Sequence, residues 1–168
     1  VIVDPVAPGI DTNWTGNCVV SVDQNDKSVG IGGTVYRYVY NTDVTLTVNV
    51  TEKHLYDEID SKVKITATKD DVPYDLKLNG WDKDNNVYSN SVTFTDDGTY
   101  VVTIEAKDSA GNESVYTSAR FTVDKTDPVI STSGAEGGYY NTDQEMKISV
   151  SDIDFVPANS KVFVNEDE

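Results

Sequence analysis

Alternation of apolar and polar residues with a period of two runs through most of this chain. After the turn-forming Asp96-Asp97-Gly98, Tyr100, Val102, Ile104 and Ala106 fall on one face, and Val101, Thr103 and Glu105 on the other. That is the pattern of a half-buried strand. Val44, Leu46, Val48 and Val50 alternate in the same way with Thr45, Thr47 and Asn49, and Val63, Ile65 and Ala67 with Lys64, Thr66 and Thr68. Shorter strands are predicted at 19–22, 34–40, 74–78 and around Val92 and Phe94, and a longer one at about 115–123 with Phe121 and Val123 turned inward. Asp70-Asp71-Val72-Pro73, residues 82–86 and Asp108-Ser109-Ala110-Gly111-Asn112 read as turns, because Asp, Asn and Gly make them readily. Residues 9–18 read as turn-rich with an exposed Trp14, and 23–33 as a polar, glycine-rich loop or bulge. Residues 52–60 suit a single helical turn. The fold class expected is all-β, with enough inward faces to fill a two-sheet core.

Past residue 123 the pattern begins again. Phe121-Thr122-Val123-Asp124 lines up with Val1-Ile2-Val3-Asp4 at an offset of 120, and Tyr140-Asn141-Thr142-Asp143 with Tyr40-Asn41-Thr42-Asp43 at an offset of 100. Met146, Ile148 and Val150 then stand where Leu46, Val48 and Val50 stood. An internal repeat of this kind implies a tandem array. The expected division is 1–8 as the end of a preceding repeat and its linker, 9–123 as one complete module, and 124–168 as the first half of the next. The chain begins at Val1 and not at Met, and reads as an internal or processed piece of something longer.

The run Asp96-x-Gly98-x-Tyr100-x-Val102 resembles the tyrosine corner of immunoglobulin-type sandwiches, with Val102 at the inward position that antibodies give to Cys. On that pattern 44–50 is strand B, 63–68 strand C, Val92 and Phe94 lie on strand E, 99–106 is strand F and 115–123 strand G. Together with Tyr139-Tyr140-Asn141-Thr142-Asp143, Asp108-Ser109-Ala110-Gly111-Asn112 and Phe121-Thr122-Val123-Asp124-Lys125-Thr126-Asp127-Pro128, the chain is similar to the bacterial immunoglobulin-like (Big-type) repeats. The resemblance covers roughly residues 19–168. It implies an immunoglobulin-like β-sandwich in a tandem repeat, the second copy incomplete. It also implies an extracellular, cell-surface setting in which such modules space, display or sometimes bind. Its partners would be neighbouring repeats, and for an adhesin a host glycan or protein.

Composition narrows this further. Thirteen basic against 29 acidic residues give a net charge of −16. No basic patch exists to meet nucleic-acid phosphates, so nucleic acid is not an expected partner. No apolar run is long enough for a membrane span. A lone cysteine, Cys18, leaves no intrachain disulfide, and with His54 the one histidine a thiolate–imidazole nucleophile is not expected. No Gly-rich phosphate loop, Ser-His-Asp order or paired zinc ligands stand out, and the chain reads as a non-enzyme.

Two candidate sites remain. Asp4 lies at one module joint and Asp124 and Asp127 at the other, and Asp108 and Asn112 lie on the F–G loop, either at the same end as the junction or at the opposite one. Hard oxygen ligands of this kind suit Ca²⁺, which in related arrays stiffens the joints. Asp and Asn also make turns through side chain to backbone hydrogen bonds, with no metal. Trp14, Tyr36 and Tyr38, in or beside the long 9–33 segment, are candidates for stacking a sugar. Three functions follow: a stalk or spacer, an adhesin or carbohydrate-binding module, or a non-catalytic part of a larger enzyme.

Overall fold

The computed structural model describes residues 4–22, 36–55, 59–135, 137–153 and 161–162, with backbone alone at 19–22 and 36–37. The loop expected at 23–33 lies outside the described residues. The strands in chain order are β1 (Gly9–Thr15), β2 (Cys18–Val22), β3 (Tyr36–Tyr40), β4 (Val44–Thr51), β5 (Val63–Lys69), β6 (Val72–Tyr74) and β7 (Asp82–Asp84). They continue with β8 (Val87–Phe94), β9 (Gly98–Lys107), β10 (Glu113–Thr117), β11 (Phe121–Val123), β12 (Val129–Gly134) and β13 (Met146–Ser151). A single helical turn, α1 (Ile59–Lys62), precedes β5. The chain is all-β, and among the described residues no helix is long and apolar enough to cross a membrane.

The chain divides into two compact units, Val1–Lys125 and Thr126–Glu168. In the first, one sheet has the order β1-β4-β8-β7 and the other β2-β3-β11-β9-β5-β6, with β10 also pairing β9. Every pairing is antiparallel except β3 with β11, where Tyr38 lies opposite Phe121 and Tyr40 opposite Val123. The inward faces of both sheets meet in one core. Val44, Leu46, Val48 and Val50 of β4 are fully buried, as are Tyr100, Val102 and Ile104 of β9, Phe94 of β8 and Val123 of β11. Burying each such side chain is worth about 1.5–3 kcal/mol, so the period-two faces are the main source of cohesion. At one end the rings of Phe94, Tyr100 and Phe121 close together, with centroids 5.0–5.4 Å apart.

Several boundaries differ from the sequence reading. Residues 9–15 form a strand and not a turn: β1 lies on the edge of its sheet and pairs with β4 from Gly9↔Thr51 to Thr15↔Thr45. The short strand expected at 74–78 comes earlier, as β6, and residues 82–84 pair with β8 as an edge strand. The expected strand G is broken. β10 ends with Thr117 opposite Thr103, and β11 resumes with Phe121 opposite Tyr100, one residue out of step. Residues 118–120 are therefore a β-bulge. Ser118 bridges it, since its N–H donates to the Val102 carbonyl oxygen and its hydroxyl oxygen accepts from the Val102 N–H, both at 2.9 Å. Asp70 and Asp71, both at positive φ (52° and 63°), form the two-residue hairpin turn between β5 and β6.

In the second unit β12 pairs antiparallel with β13, from Val129↔Ser151 to Gly134↔Met146. Val129, Ile130, Tyr139, Tyr140, Met146 and Ile148 are exposed there.

Candidate functional site

The pairing of β1 with β4 dictates what gathers at one end of the first unit. With Gly9 opposite Thr51, the residues just before β1 must meet those just after β4. Asp4, Glu52 and His54 do so, and their ligand atoms lie within 4.8 Å of one another. His54 Nδ1 is in contact with Asp4 Oδ2 and lies 3.5 Å from Glu52 Oε1. Glu52 Oε1 also accepts hydrogen bonds from the main-chain N–H groups of Lys53 and His54, at 2.7 and 2.9 Å. The Asp4 and Glu52 side chains keep only 11% and 5% of their exposure.

The loop after β9 backs this cluster. Ser109 Oγ donates to the His54 carbonyl oxygen (2.8 Å), and Asn112 Nδ2 to that of Asp4 (2.7 Å). Asn112 is itself clamped on Asp108: its N–H donates to Oδ1 at 2.8 Å and its Nδ2 to Oδ2 at 2.6 Å. Burial pushes the Asp108 carboxyl up, but hydrogen bonds from Asn112, Gly111 and Ala110 outweigh it and hold the group below its ordinary value. Asp108 is thus an ionised staple of its own loop.

These contacts sort the five residues considered for calcium. Asp4, Asp108 and Asn112 share the end of the unit that holds the loop after β9. Asp124 does not. It follows Val123, which pairs with Gly98 at the start of β9, while Asp108 follows the other end of that ten-residue strand, roughly 30 Å away. Asp127 belongs to the second unit. Asp108 and Asp124 therefore cannot share one calcium ion, which reaches ligands only about 2.3–2.6 Å away. Glu52 and His54, which do join Asp4, carried no sequence signal, because the spacing that unites them arises only from the β1–β4 register.

The second candidate region is a groove of about 340 Å³ lined by Trp14, Tyr38, Tyr40, Tyr116, Ser118, Ala119 and Phe121. Its volume falls within the range of small-ligand pockets. Trp14 is half-buried and not exposed as the sequence suggested. On β1 its ring lies 6.5 Å from Phe94 and 5.1 Å from Phe121, so it serves the core as well as the groove. Tyr38 is 36% exposed. Tyr40 packs edge-on against Phe121 (6.1 Å, 86°), and burial, then the neighbouring Cys18, pushes its hydroxyl up to about 12. The side chain of Tyr36 lies outside the described residues.

Comparison of the chain with protein-family models, with curated proteins and with solved structures returns no match.

Proposed function

We propose that residues 9–123 are an immunoglobulin-like β-sandwich, one repeat of a tandem array that acts as a non-catalytic stalk or spacer in a bacterial surface or secreted protein. The observation that carries this reading is a repeated register. β12 begins 120 residues after β1, and β13 ends 100 residues after β4. Gly9↔Thr51 becomes Val129↔Ser151, and Thr12↔Val48 becomes Thr132↔Ile148. Two stretches with the same sequence offsets pair in the same way, as copies of one module would. The sheet orders add support. β1-β4-β8-β7 corresponds to strands A, B, E and D of an immunoglobulin-like sandwich, and β5-β9 with β10 and β11 corresponds to C, F and G. A spacer keeps a fixed rise per module. Small-angle scattering from proteins carrying one, two and three copies of residues 4–125 should give a maximum dimension that grows by a constant step. Arrays that do not lengthen with copy number would overturn the reading.

The aromatic groove favours a second reading, an adhesin or carbohydrate-binding module. Trp14→Ala is a poor test of it, because the ring also supports Phe94 and Phe121. Tyr38→Ala is better, since Tyr38 is the more exposed wall. Glycan-array binding that this change abolishes would support the second reading, and an array without binding would leave the spacer.

A further inference from the structure

Two carboxylates and one imidazole nitrogen converge where β1 is entered and β4 is left, and two of the three side chains are almost wholly buried. Each residue offers one ligand atom, and the three atoms lie within 4.8 Å of one another, within reach of a single ion. We propose that Asp4, Glu52 and His54 bind a divalent transition-metal ion of the Zn²⁺ class.

The donor set selects the metal. An imidazole nitrogen with two carboxylates suits Zn²⁺ and its first-row neighbours, whereas Ca²⁺ takes six to eight oxygens. The 3.5 Å between His54 Nδ1 and Glu52 Oε1 is close to the edge of a tetrahedron with bonds of about 2.1 Å, roughly 3.4 Å, whereas Nδ1 touches Asp4 Oδ2, so the ion would take the place of that hydrogen bond and spread the two groups apart. Three protein ligands leave the fourth position to water. The supporting contacts are of the kind that metal sites use to hold their ligands. Main-chain N–H groups fix Glu52, Ser109 holds the His54 carbonyl, and Asn112, locked on Asp108, holds that of Asp4. A bound ion would tie residues 4–8 to the end of β4 and to the loop after β9. The proposal does not depend on the spacer reading, since it concerns the first unit alone.

The single histidine gives a direct probe. Zn²⁺ is titrated into the whole chain, freed of metal by chelator, while the one imidazole signal is followed by NMR. Saturable change at one equivalent is expected, together with a rise in melting temperature, since a ligand of the folded state alone must stabilise it. Co²⁺ should give visible absorption bands with the same stoichiometry. Glu52→Gln and His54→Gln should each weaken Zn²⁺ at least tenfold, while Asp43→Asn, at the far end of β4, leaves it unchanged. Excess Ca²⁺ should not displace Zn²⁺. An imidazole signal unmoved at one equivalent, with no Co²⁺ bands, would overturn the site and leave a histidine–carboxylate ion pair. So would Ca²⁺ binding that His54→Gln does not affect. The Zn²⁺ and Co²⁺ results on the unaltered chain decide the matter even if a variant fails to fold.

Discussion

Tyr100 reaches back over the turn that launches β9 and donates its hydroxyl hydrogen to the main-chain oxygen of Asp96, 2.7 Å away. Its ring is fully buried, against Phe94, Phe121 and Tyr74. Tyr100→Phe keeps the ring and deletes this bond. The expected loss is about 1 kcal/mol, read from urea unfolding with the slope unchanged. A variant as stable as the parent would mean that ring packing alone holds the turn.

The same turn needs its glycine. Gly98 has φ near +154°, in a region of backbone space essentially reserved for glycine. An added Cβ would run into the Lys69 side chain and lie 3.2 Å from Asp70 Oδ2. Lys69 can swing aside, but the backbone cannot change φ without moving Thr99, whose N–H donates to Asp70 Oδ1 and whose carbonyl oxygen accepts from the Asp70 N–H. Gly98→Ala should cost about 1–3 kcal/mol, whereas Gly80→Ala, with nothing within 4 Å of the new methyl, should stay within about 0.5 kcal/mol. Melting temperatures of the two variants would separate these outcomes.

β4, β5 and β9 were legible because each buries one face and wets the other, which leaves a period-two trace in the sequence. β1 obeys the same rule: Ile10, Thr12 and Trp14 are half-buried, and Gly9, Asp11, Asn13 and Thr15 are exposed. It went unread because its outer face is an open sheet edge made of turn-forming residues. β7, exposed throughout as Asp82-Lys83-Asp84, has no apolar trace at all. The bulge at 118–120 changes register without changing composition. Asp4, Glu52 and His54 are united by a strand pairing, and no local pattern encodes a contact across about fifty residues.

Stability should fall in alkali. Burial raises the hydroxyl pKa of Tyr40 to about 12, and that of Tyr100 also lies above the ordinary 10.0. The folded state thus holds these protons more tightly than the unfolded chain does. Their contribution is whole below about pH 10 and is lost as pH climbs toward the folded values. Unfolding midpoints in urea should be flat with respect to these groups up to about pH 10 and decline between 10 and 12. Tyr40→Phe and Tyr100→Phe should each make that decline shallower. A midpoint that does not move between pH 10 and 12 would show that neither hydroxyl is linked to folding.

Strands β4 and β13 place apolar residues in unlike surroundings. Leu46 pairs with Trp14 and Met146 with Gly134 on β4 and β13, yet Leu46 is fully buried and Met146 is 52% exposed. Leu46→Ala removes methyl groups from a packed core and leaves a cavity, so it should cost about 2–5 kcal/mol. Met146→Ala removes surface that water already reaches and should change stability by no more than about 0.5 kcal/mol. Tryptophan fluorescence suits the first measurement, since Trp14 and Trp81 both pack against the core that contains Leu46. The second is read from hydrogen exchange across β12 and β13. Equal losses at the two positions would mean that Met146 is covered in solution, and the apolar side of β13 would then be a packed face and not an open one.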